Sequence, residues 1–183
     1  MTRPRDDASP VAFPVHVARL PAKGMEVVVE ADAAQREALA EAHDLLAVER
    51  FVAMLDVAPW KKGGVRVSGR VEAAVVQACV VTLEPVTGTI DEAVSAVFLP
   101  EGSKLAVPTR SAEGEILLDA EGDDAPELFS GDTVDVGRLA EEFFALGIDP
   151  YPRKPGVSLD GEGAADEKRG PLHDKLAALR KKL

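Results

Sequence analysis

Val65-Arg-Val-Ser-Gly-Arg-Val-Glu-Ala-Ala-Val-Val-Gln77 decides the fold, because its side chains change character with a period of two. Val65, Val67, Gly69, Val71, Ala73 and Val75 take one set of alternate positions, and Arg66, Ser68, Arg70 and Glu72 take the other, with Gln77 closing the run. That is the pattern of a strand with one face on a core and one in water. Thr87 to Leu99 supplies a partner, its apolar positions interrupted by Thr87, Thr89, Asp91 and Ser95. Only a short link containing Thr82-Leu83-Glu84-Pro85 separates the two, so they form a hairpin and the sheet is antiparallel.

Working outward, Val48–Val57 is rich in strand formers, and Pro59-Trp60-Lys61-Lys62-Gly63-Gly64 turns the chain into the hairpin. Phe13–Leu20 and Met25–Glu30 are two further strands. Asp32 stands three residues before Gln35, the spacing of a capping box. The helix it opens carries Ala38, Leu39, Ala42, Leu45 and Leu46 on one face and is expected to end near Ala47. Downstream, Val136, Leu139, Phe143 and Leu146 recur at helical spacing, with Asp135 or Thr133 as cap and Gly147 as a left-handed stop. Asp149-Pro-Tyr-Pro-Arg-Lys-Pro-Gly156 must run extended, because proline turns the preceding residue away from helix.

These elements make an α+β fold: a mostly antiparallel β-sheet or partly open barrel, two packed helices and a short C-terminal helix. The expected organisation is a single α+β domain over residues 1–156, with a loose arm at 1–10 and an acidic loop region at 100–130 in which Glu115–Asp119 is the one strand. A linker over 157–169 and a basic helix over 170–183 follow, the latter with Leu172, Leu176, Leu179 and Leu183 as its apolar stripe.

Composition narrows the function classes. The chain has 183 residues, 46% apolar but only 4% aromatic, so its core must be aliphatic. One cysteine, Cys79, excludes an intrachain disulfide and a multi-cysteine metal site. The amino terminus leads into no apolar run of signal-peptide length, and no stretch of about 18 apolar residues occurs, so the expected location is cytoplasmic. Charge falls into blocks: −1 over residues 1–83, −13 over 84–163 and +3 over 164–183, for a net of −11. That balance argues against a surface that is a nucleic-acid cradle throughout.

No phosphate loop, dinucleotide fingerprint or nucleophile elbow is present. His16, His43 and His173 stand apart from other ligand-type residues at any recognised metal spacing. His43 reads as a solvated or hydrogen-bonded helix-flank residue. Asp123 and Asp124 read as exposed loop, and Glu141 and Glu142 as solvent-facing helix residues. Ala78, Val80 and Val81 surround Cys79 with apolar side chains, which would raise its thiol pKa and make it a packing residue. Neither an enzyme nor a cofactor is expected.

Three segments resemble the YceD family of large ribosomal RNA accumulation proteins. Gly69 to Pro85 is similar to that family's hairpin, which carries a Cys-x-x-Cys pair. Asp132–Leu146 followed by Asp149-Pro-Tyr-Pro152 resembles its acidic helix and proline-punctuated segment, and Pro171–Lys182 its closing helix. The resemblance marks Cys79, Leu83, Pro85, Leu139, Phe143, Pro150 and Pro152 as structural positions. Position 82 is Thr where many members have a second cysteine, so a zinc reading does not transfer. What the resemblance implies is a non-enzymatic accessory role in accumulation of large-subunit (23S) ribosomal RNA and in ribosome assembly.

The expected partner is ribosomal RNA or a pre-ribosomal particle, directly or through a protein, and neither DNA nor a membrane. Lys168, Arg169, Lys175, Arg180, Lys181 and Lys182 form the only dense basic patch and are the expected contacts, although cations near a helix carboxyl end also suit the helix dipole. The alternative is an acidic protein–protein adaptor that never touches RNA, its −13 middle block meeting a basic partner.

Overall fold

The alternating run and its partner form the two longest strands of the sheet. In the computed structural model, which describes residues 8–103, 105 and 126–157, the elements in chain order are β1 (Pro14–His16), β2 (Met25–Glu30), α1 (Ala33–Ala42), β3 (Ala47–Trp60), β4 (Gly64–Ala78), β5 (Pro85–Pro100), β6 (Glu127–Phe129), β7 (Thr133–Asp135) and α2 (Val136–Leu146). The architecture is α+β. An open five-stranded sheet runs in the order β2-β3-β4-β5-β6, and β1 pairs with β7 as a separate two-stranded ribbon. Every pairing is antiparallel except β5 with β6.

Register places the apolar set of β4 on the core face. Val65 lies opposite Phe98 and Ala73 opposite Ile90 in β5, while Val67 lies opposite Val57 and Val71 opposite Ala53 in β3. All eight are buried, and among the described residues no polar or charged one is. Gly69 faces Leu55 across the β3–β4 pair, where a Cβ would run into the Met54 carbonyl oxygen, so only glycine lets the two backbones approach so closely.

Both helices start where the sequence places them. The Asp32 carboxylate accepts from the Gln35 amide at 2.8 Å, and the Gln35 side chain accepts from the Asp32 amide at 2.9 Å, a complete capping box. But α1 ends at Ala42, short of the expected end, because Asp44 takes a left-handed conformation (φ 54°) and the Leu46 amide already donates to the Val76 carbonyl of β4. Leu46, expected on the helix face, is exposed on the way into the sheet.

At the start of α2, Asp135 Oδ1 accepts from the amides of Gly137 (3.1 Å), Arg138 (3.0 Å) and Phe13 (2.8 Å). One carboxylate thereby caps the helix and anchors the N-terminal strand beside it. The buried face of α2 is Val136, Gly137, Leu139, Ala140 and Phe144. It is rotated from the expected stripe: Phe143 is half-buried and Leu146 is 76% exposed. Phe144 takes the central place because its ring meets Phe51 of β3 edge-on, with centroids 5.5 Å apart. Gly147 is right-handed (φ −81°) rather than left-handed. Glycine serves there because a Cβ would strike Ile90 of β5.

Two expectations about strands change. Phe13–Leu20 is a strand for three residues only, turning into 3-10 helix at Val17–Arg19. Glu127–Phe129, inside the stretch read as acidic loop, pairs with β5. The expected strand at Glu115–Asp119, the first residues of the arm, nearly all of the linker and the C-terminal helix lie outside the described residues.

Replacing Asp135 by Ala should cost about 2 kcal/mol in urea unfolding, the upper end for loss of a cap, because the Phe13 amide loses its acceptor with the two helix amides. Asp135→Asn, which keeps an oxygen at that place, should recover most of the loss.

Candidate functional site

The turn between β4 and β5 is closed by its own backbone. The Cys79 amide donates to the Glu84 carbonyl at 2.8 Å, and the Leu83 amide donates to the Cys79 carbonyl at 2.9 Å. Leu83 sits in the left-handed region (φ 59°) and is 77% exposed. Its part is therefore in turning the chain, not in packing. Val80 and Pro85 also face solvent, while Ala78 and Val81 are half-buried.

Cys79 itself exposes no surface, yet its thiol is drawn down from an ordinary value of 9.0 to about 6. The Thr82 hydroxyl is the main cause, followed by the backbone amides of Lys154, Thr82 and Val81, and together they outweigh desolvation. This reverses the expectation that its neighbours would raise it. The nearby side chains are apolar by type, but the groups aimed at the sulfur are donors.

A second segment straps this turn. The Gln77 side-chain amide donates to the Asp149 carbonyl at 2.8 Å, the Val80 amide to the Pro152 carbonyl at 2.9 Å, and the Lys154 amide to the Cys79 sulfur at 3.5 Å. Lys154 Nζ also reaches Glu84 Oε2 at 2.8 Å. That pair is half-exposed, so water and salt screen it. Pro152 is buried, whereas Pro150 and Tyr151 face solvent. Asp149 Oδ1 accepts from the Tyr151 amide at 2.9 Å and shapes the entry to the strap. The first two segments of the resemblance thus meet in one small structure, Pro152 through Val80 beside Cys79.

A lone thiol with Thr82 beside it cannot close a tetrahedral metal site, and no cluster of three or more His, Cys, Asp or Glu able to hold a metal occurs among the described residues. Amides and a hydroxyl stabilise the sulfur here, and the arrangement serves to hold two chain segments together.

Between the helices lies a pair that the sequence reading did not anticipate. His43 Nε2 and Glu141 Oε1 are 3.0 Å apart, with side chains 19% and 15% exposed. Burial pushes the Glu141 carboxyl up, but bonds from His43 and Ser9, with the charges of His43 and Arg138, bring it below its ordinary range. Glu141 is therefore a half-buried tie between helices, in contrast to Glu142, which faces water and pairs with Arg138 at 3.3 Å. His43 also meets Phe144 edge-on at 5.3 Å. The signal that could have found the tie, carboxylate and imidazole on two helices sharing one core, is a tertiary one.

Leu139 is in the core and Phe143 on its margin. The six basic residues Lys168, Arg169, Lys175, Arg180, Lys181 and Lys182 lie outside the described residues. No described helix is long and apolar enough to cross a membrane.

Since the Cys79 thiol is lowered on folding, it stabilises the fold fully above pH 9 and progressively less as pH falls towards 6. Urea midpoints of the wild type should therefore rise relative to Cys79→Ser as pH is raised from 6 to 9. Parallel curves would show that the sulfur is not held as thiolate.

A family model described as large ribosomal RNA subunit accumulation protein YceD matches residues 67–181. No curated protein and no solved structure matches the chain. The matched span begins in β4, takes in the Cys79 turn, α2 and the strap, and continues through the basic tail. With well over half of its length so matched, the chain belongs to the YceD family.

Proposed function

We propose that this protein is a non-enzymatic accessory factor of the cytoplasm that supports accumulation and processing of large-subunit (23S) ribosomal RNA by binding during assembly of that subunit. The family match over residues 67–181 carries the reading. The chemistry at the strapped turn agrees with it. The Cys79 sulfur accepts from the Lys154 amide and the Lys154 ammonium pairs with Glu84, so these groups hold chain to chain. In this reading Lys168, Arg169, Lys175, Arg180, Lys181 and Lys182 contact phosphate, and such contacts are sequence-blind and weakened by salt.

Depleting the protein from its cells should lower large-subunit RNA relative to small-subunit RNA, and the wild-type gene should restore the ratio. A gene carrying Lys175→Glu, Arg180→Glu, Lys181→Glu and Lys182→Glu should restore it only in part. An unchanged ratio on depletion overturns the reading. In-cell cross-linking that recovers protein but never RNA would favour the acidic adaptor, for which the −13 block over residues 84–163 speaks.

A further inference from the structure

Between Asp56 and Glu72 the sequence holds Lys61, Lys62, Arg66 and Arg70 and not one acid, in a chain of net charge −11. The β3–β4 corner gathers three of these around the only tryptophan. Trp60 ends β3 opposite Gly64, a single 3-10 turn carries Lys61 and Lys62, and Arg66 lies opposite Ala58 as β4 leaves the corner. Lys61 Nζ is 5.4 Å and Arg66 Cζ 5.9 Å from the centre of the indole. Lys61, Lys62 and Arg66 are exposed, and none forms an ion pair among the described residues. Arg70 does, with Asp91 at 2.7 Å, and so drops out of the cluster. Lys62 is left-handed (φ 54°, ψ 44°), a strained conformation for a residue with a side chain. The turn that displays the cations is thus a tight one, set between two long paired strands.

We propose that this corner binds single-stranded RNA, the Trp60 indole stacking on an exposed base while Lys61, Lys62 and Arg66 take the flanking phosphates. The proposal rests on the reading that the protein works on RNA, but it places a contact in the folded sheet rather than in the tail. Magnitudes favour exchange of the present neighbours for a base. An exposed cation over an aromatic ring is the weaker contact, a stacked base the stronger, and the displaced cations gain phosphate partners. A duplex keeps its base faces covered, so the site takes single strands. An acidic protein surface would satisfy the cations and leave the indole without a role.

Because Trp60 is the only tryptophan, its emission reports directly on this corner. The full chain would be titrated with an end-labelled, mixed-sequence RNA of about ten nucleotides, reading anisotropy for affinity and indole emission for stacking. Quenching is expected to follow the binding curve. Trp60→Ala should weaken binding roughly 5- to 150-fold, and Trp60→Phe should retain most of it. The double variant Lys61→Ser, Lys62→Ser should flatten the logarithmic salt dependence by about 1.4, near 0.7 for each phosphate left without its lysine. Circular dichroism melting confirms that each variant is folded. The proposal is overturned if the chain binds no RNA, if RNA binds with emission unchanged and both corner variants unaffected, or if polyglutamate competes as well as RNA does. Loss of binding only on charge reversal of the tail would also remove the corner contact, while leaving the accessory role in ribosomal RNA accumulation standing. Quenching with the corner effects would uphold it even if depletion left the ribosomal RNA ratio unchanged.

Discussion

Val65, Val67, Val71, Ala73 and Val75 reach the core in only one register of β4 between β3 and β5. A slip of one residue would turn all five into water and bring Arg66, Arg70 and Glu72 inside. Burying a valine side chain is worth about 1.5–3 kcal/mol, so the penalty for the wrong register is comparable with the whole stability of an ordinary domain. Much else follows from that pairing. With β4 in place, the close approach at Gly69 brings Leu55 and its neighbours in β3 onto the same face. Phe51 then stands where Phe144 can meet it, which sets the rotation of α2. The position of α2 in turn determines where His43 finds Glu141 and where Asp135 can hold the first strand.

What could be read from the chain itself was what neighbouring residues settle between themselves. The alternation of β4, the capping box at Asp32 and Gln35 and the cap at Asp135 all depend on residues a few positions apart, and each stands in the structure as its spacing implies. Contacts across long separations were not legible. Phe143 and Phe144 satisfy helical periodicity almost equally well, and only Phe51, far away in sequence, selects between them. Glu141 looked solvated because nothing near it in sequence competes with water. β6 is three residues long and parallel to its neighbour, too short for any periodic signal. The Trp60 corner was hidden by arithmetic: counted over residues 1–83 the charge is −1, and the local excess of cations cancels against acids elsewhere.

Cys79 shows how residue type and residue environment can disagree. Its neighbours in sequence are valines and alanine, and on that basis its sulfur should behave as a small hydrophobe. In three dimensions the Lys154 amide, from some seventy residues downstream, donates to that sulfur. The sulfur is buried and stabilised as an anion together, which apolar packing alone would not permit. Thr82, standing where the family resemblance leads one to look for a second thiol, contributes its hydroxyl to the same end. The turn is fastened by hydrogen bonds.

The strap over that turn has a mechanical side. The chain leading to Val157 is tethered to the sheet through Asp149, Pro152 and Lys154, which grip Gln77, Val80 and Cys79. A tug from the distal side is therefore borne by these three bonds and the Lys154–Glu84 pair, loaded one after another, and they can peel singly without disturbing the aliphatic interior. Force arriving from that direction would dissipate at the fastening, and the sheet beneath would keep its shape.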